Sequence, residues 1–180
     1  MNVPEHHRRF CRTHFRFALV MVVVALLVGI SFQESARKVL VTPQVPVGAH
    51  LEWIISLALV HGHLFIMGVL LPLAFTWMVH LAASLDMAPI SPALLAWATR
   101  LYIPGVCLTA LLQLVKGYWF VLGVRHGGDF ARLNDSFLGG GHAMPRVLAF
   151  GAAHALLGGG LALLVLGFWR AFGRRQAGQA

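Results

Sequence analysis

The chain has 180 residues, of which 58% are hydrophobic and only 11% charged, and its mean hydropathy is +0.76. That excludes an ordinary soluble domain and points to an integral membrane protein. The net charge of +8 comes from basic residues at the edges of apolar segments rather than from one stripe or tail, so it reads as membrane-flanking charge and not as a nucleic-acid surface.

In chain order, the opening stretch EHHRRFCRTHFR reads as a solvated basic flank, in preference to a copper or anionic-lipid site. The apolar run Phe15–Phe32 follows it. No A-x-A-like site precedes Glu34, Arg37 and Lys38, so the run is expected to be a membrane helix and not a cleaved signal. Three more runs, Trp53–Leu81, Leu94–Val124 and Val147–Phe168, can also cross about 30 Å of hydrocarbon at about 1.5 Å per helical residue. Pro72 and Pro104 fall inside the second and third and predict kinks.

The connections are a long polar stretch after the first helix, the proline-punctuated AASLDMAPISPA after the second, and the glycine-rich RHGGDFARLNDSFLGGGHAMPR after the third. The expected architecture is a single all-α domain over residues 1–180, a four-helix transmembrane bundle. Placing both termini in the cytoplasm puts eight of the fourteen basic residues there, a shallow positive-inside bias, and gives a multi-pass protein of the bacterial inner membrane. Cys11 and Cys107 are too far apart in sequence and setting to argue a disulfide framework or a CxxCH haem attachment.

Inside the second run, LVHGHLFIMG places His61 and His63 about 14 to 16 Å below Glu52 by helical rise. His154 lies about 12 Å below Arg146, and Lys116 about 14 Å from Arg125. Four ionisable groups on three helices at similar depth suggest a shared site, because a polar group in hydrocarbon must find a partner. Residues two apart on a helix point about 200° from each other, so one of His61 and His63 should face the core and the other a neighbour; the room beside it slightly favours His61. Gly151 and Gly158 share the face of His154 and leave a flat slot in which a planar macrocycle could lie.

Two imidazoles from facing helices are a usual axial pair for haem b, so His61 or His63 with His154 become candidate iron ligands. Lys116 stands as a supporting residue, and Arg37, Lys38, Arg125 or Arg146 as propionate partners. His80 is too far along its helix to join them. His50, His126 and His142 show no recognised metal spacing, and the glycine-rich loops lack a phosphate-loop context. No nucleophile or carboxylate dyad supports hydrolysis, so any enzymatic activity would be that of an oxidoreductase.

HGHLFIMGVLLPL, LVKGYWFVLG and LAFGAAHALLGGGLALLV together resemble a family of small uncharacterised bacterial four-helix membrane proteins with a His-x-His motif on helix two. The resemblance implies that His61, His63, Lys116 and His154 act together. A shorter stretch, His61-Gly62 with Pro72 and DMAPISP, is similar to the second helix of the catalytic subunit of haem-copper oxidases and nitric oxide reductases. That likeness implies haem ligation by His61, but not terminal reduction, since the further helices and copper ligands are missing.

The expectation is therefore a haem b protein for electron transfer, linked to quinone or to a redox partner protein, in the lipid bilayer as a homo-oligomer or a subunit of a larger complex. The alternatives are a cofactor-free accessory or assembly subunit, and a gas-binding haem sensor or reductase. Copper handling ranks below these because the methionines do not cluster.

Overall fold

The computed structural model describes residues 3–37 and 47–173, with side chains for 3–35 and 54–173. Helix α1 spans Glu5–Arg37, α2 Val47–Phe65, α3 Leu71–Ser84, α4 Pro92–Arg125, α5 Phe130–Ser136 and α6 Ala143–Phe172. A π-helical turn, Ile66–Leu70, joins α2 to α3 in one rod. Four stretches are long and apolar enough to cross a membrane: Glu5–Ser35, Ile54–Ser84, Pro92–Arg125 and Ala143–Phe172. The fold is thus an all-helical, multi-pass membrane bundle. Its basal end holds Glu5, Ser84, Pro92 and Phe172, and its distal end Ser35, Arg125 and Ala143.

α1 starts ten residues before the expected Phe15, and the basic flank is its first turns. The reason is a buried seam, His7, Phe10, His14, Ala18, Met21, Ala25 and Val28, that recurs every three or four residues and begins within the charged stretch. Arg8, Arg9, Arg12 and Arg16 occupy the other face. Farther up, Leu19, Val20, Val23, Leu26, Leu27 and Ile30 are all more than half exposed. A soluble helix would not leave such a belt uncovered, whereas hydrocarbon solvates it.

The π turn follows from Pro72. A proline has no N–H to give, so the helical ladder cannot continue unbroken through it. The Leu71 N–H reaches back five residues to the Ile66 carbonyl. The same register would aim Met67 at the missing N–H of Pro72, and the Tyr102 hydroxyl on α4 donates to the Met67 carbonyl instead, at 2.6 Å. Pro104, by contrast, lies inside α4, which continues through it as one helix.

α4 is the central rod. A side chain at Gly105 would strike the backbone of Leu157, and one at Gly160 the backbone of Tyr102, so α4 and α6 run antiparallel with their backbones in near contact. Gly117 of α4 receives Leu57 of α2, and Gly68 in the π turn receives Met21 of α1. α6 packs along α4 and meets α3 near the base, where Phe75 stacks with Phe168 at 6.4 Å between ring centres.

Between α3 and α4, Ile90 lies between Pro89 and Pro92 with its backbone outside any helix and only 4% of its surface exposed. Buried backbone groups need partners. His6 Nε2 donates to the Ile90 carbonyl at 3.0 Å, and the Ile90 N–H donates to His7 Nε2 at 3.1 Å. At the distal end, α5 interrupts the loop expected after the third span; Asp129 caps it by accepting from the Arg132 N–H at 3.0 Å, and Phe130 packs on Phe120.

Candidate functional site in the distal half of the bundle

His61 and His63 point to opposite sides of α2, as the helical angle requires. His61 Nδ1 donates to the Ala25 carbonyl of α1 at 2.9 Å. Its ring lies in a notch at Gly29, where an added Cβ would come within 3.0 Å of the imidazole. Gly29 therefore belongs with His61, although the sequence shows it only as one small residue in an apolar run. His61 is thus turned toward α1, away from α6.

His63 points the other way, into a cleft that it lines with Met67, Val106, Thr109, Ala110 and Leu157. The cleft is shared by α2, α4 and α6. It encloses no room for even a water molecule, so it is not a small-molecule cavity. Thr109 is 2% exposed, and its hydroxyl oxygen has no hydrogen-bond partner. The Gln113 Oε1 atom one turn on is likewise buried and unpartnered.

His154 precedes Leu157 by one turn of α6 and stands on the outward face of that helix. Around it, Gly151 and Gly158 have nothing within 4 Å of where a side chain would begin. The glycine slot is therefore real but lies on the outside of the bundle. Register gives the depths: counting from the Leu57–Gly117 contact, His63 is level with Leu111, and counting from Leu157–Gly105, His154 is level with Leu108. The two histidines differ in depth by about 4.5 Å. Lys116 is eight residues from the His154 level, about 12 Å of helix, and its ammonium sits 5.5 Å from the centre of the Phe120 ring. It does not share their plane.

All three histidines are held in one manner. His63 Nδ1 donates to the Leu59 carbonyl at 2.7 Å, and His154 Nδ1 to the Phe150 carbonyl at 2.8 Å. A carbonyl can only accept, so Nδ1 carries the proton in each ring and Nε2 presents its lone pair. That is the arrangement in which an imidazole serves as a metal ligand.

Of the cations considered for propionates, Arg146 donates to the Asn134 carbonyl at 2.7 Å and Arg125 to the Ser35 carbonyl at 3.3 Å. The side chain of Arg37 and all of Lys38 lie outside the described residues, as does the His50 side chain. His80 is exposed near the basal end beside Trp77, far from the site. Among the described residues, no group of three or more histidine, cysteine or acidic side chains is gathered for a metal ion.

The basal histidines belong to the stretch expected to be a solvated flank, yet His7 and His14 are buried. His14 is fully buried between Phe10, Phe75 and Tyr102, with Nδ1 on the Phe10 carbonyl at 3.1 Å and Nε2 unpartnered. The signal that could have found it is the seam spacing, which includes His7 and His14 once the helix is allowed to begin at Glu5.

Fold and site together define a multi-pass helical membrane protein with histidines set into its distal half. No protein-family model, curated protein or solved structure matches the chain.

Proposed function

We propose that the chain is a haem b protein of the bacterial inner membrane that carries electrons, with His63 of α2 and His154 of α6 as the axial ligands. One observation carries the reading: on two helices that flank the same cleft, both rings are pinned through Nδ1 to the carbonyl four residues earlier, which leaves Nε2 free. The donor set suits haem iron. The enclosed space does not suit a macrocycle, so a haem would have to lie outside it, against the outward face of α6 that carries His154, Gly151 and Gly158.

Held by His63 and His154, a haem would supply single-electron transfer, and the two imidazoles would leave no open position for a gas. In this arrangement His61 anchors α2 to α1, and Arg37 and Arg146 are the distal cations proposed for the propionates. Quinone or a redox partner protein would exchange the electrons, and a second copy or a partner subunit would cover the outward side.

The test is the absorption spectrum of the full chain purified in detergent from haem-replete cells, with pyridine haemochrome analysis. A Soret band is expected, and it should be lost in His63→Leu and in His154→Leu but kept in His61→Leu. Protein that folds and shows no Soret band refutes the proposal; carbon monoxide binding to the reduced protein would instead indicate a single ligand and the sensor or reductase alternative.

The outward setting of His154, Gly151 and Gly158 also suits a cofactor-free accessory subunit, whose small-residue face receives a partner's helix. For that reading, changing His61, His63 and His154 together to leucine should leave fold and assembly intact.

A further inference from the structure

At the basal end, a cleft of about 430 Å³ opens between the first turns of α1 and α4. Its polar lining is His6, Arg9, Thr13, Thr99 and Arg100, and Phe10 and Leu95 are among its apolar lining. No carboxylate lines it, and the Glu5–Arg8 ion pair, at 2.8 Å, lies outside it. Arg9 and Arg100 come from different helices. Two arginines lining one cavity with no acidic partner there favour an anion, and their forked donors match phosphate oxygens in pairs.

Depth indicates where the phosphate would come from. The Arg100 guanidinium lies 5.4 Å from the centre of the Trp97 ring, and Trp97 is 56% exposed on the outer surface. Tryptophan and arginine together mark the level of lipid headgroups. The cavity therefore lies at the level of the headgroup layer, with Arg100 five residues farther from the basal end of α4 than Leu95.

We infer that this cleft binds the phosphate of an anionic phospholipid, held between Arg9 of α1 and Arg100 of α4. The lipid joins the N-terminal turns of α1 to α4. The site is separate from the distal histidines and stands whether or not they bind haem.

Native mass spectrometry of the full chain, released from phosphatidylcholine nanodiscs containing a minor share of phosphatidylglycerol, reads retained lipid directly. The protein should retain phosphatidylglycerol over phosphatidylcholine, and Arg9→Gln with Arg100→Gln should lower retention on the order of tenfold, the worth of a lost charge-assisted hydrogen bond. Arg12→Gln with Arg170→Gln removes the same charge from the same end but outside the cleft, and should change retention less than twofold. Helical circular dichroism confirms that both variants are folded.

Equal loss in the two double variants would mean diffuse attraction and overturn the site, as would equal retention of the two lipids. A second arm adds inorganic phosphate to discs of phosphatidylcholine alone. Thermal stabilisation by phosphate that disappears in the Arg9 and Arg100 variant would assign the cleft to a free anion and overturn the lipid source; no stabilisation by phosphate, with phosphatidylglycerol retained, supports it.

Discussion

Tyr102 shows how much can rest on one hydroxyl. Its ring is fully buried, in edge contact with Phe75, and its oxygen supplies the proton that Pro72 cannot give to the Met67 carbonyl. Tyr102→Phe keeps the ring and removes only that donor, so a buried carbonyl is left without a partner at a cost of about 1 to 3 kcal/mol. A lower thermal midpoint in detergent is expected, and an unchanged one would show that another donor reaches Met67. Pro72 was readable in the sequence as a disturbance of the helix. The residue that repairs it lies on another helix, 35 positions beyond Met67, and no local pattern names it. His14 escaped notice for a related reason: it sits among arginines in the sequence and among aromatic rings in the fold.

At the scale of the helix, Gly158 and Gly160 make the clearest contrast. They are two positions apart and so point about 200° from each other. Gly160 lies against the backbone of Tyr102, whereas Gly158 has nothing within 4 Å. Gly160→Ala forces α4 and α6 apart and should lower the thermal midpoint markedly, by the few kcal/mol typical of overpacking, about 1 to 3. Gly158→Ala should leave stability unchanged or raise it by up to about 1 kcal/mol through helix propensity. Equal effects of the two would contradict the packing described. The glycine-rich run was legible as a means of close approach. Three consecutive glycines cover most of the helix circumference, however, so the sequence could not say which of them meets α4 and which stays open beside His154.

Across the whole molecule, the four spans were legible because hydrocarbon surrounds them: apolar residues need no neighbour on the outer face, and length with hydropathy is enough to find them. Placement of the histidines was legible only in part. Helical rise puts His63, His154 and Lys116 at similar depths; the register of α2, α4 and α6 sets the two histidines about 4.5 Å apart and Lys116 five to eight residues farther along α4, a spread that rise alone could not reveal. Nor could it show that His61 turns to α1, because that depends on Gly29 offering room.

The grip of His6 and His7 on Ile90 also bears on the order of events during synthesis. Ile90 lies 84 residues after His6 and 83 after His7, so the partner for the start of α1 does not exist until the second span has been made. Nascent chains stalled before Ile90 has left the ribosome should leave the Arg8 and Arg9 peptide bonds open to trypsin, and chains stalled after α4 has emerged should protect them. Protection already present in the shorter chains would mean that the first turns of α1 settle without the clasp.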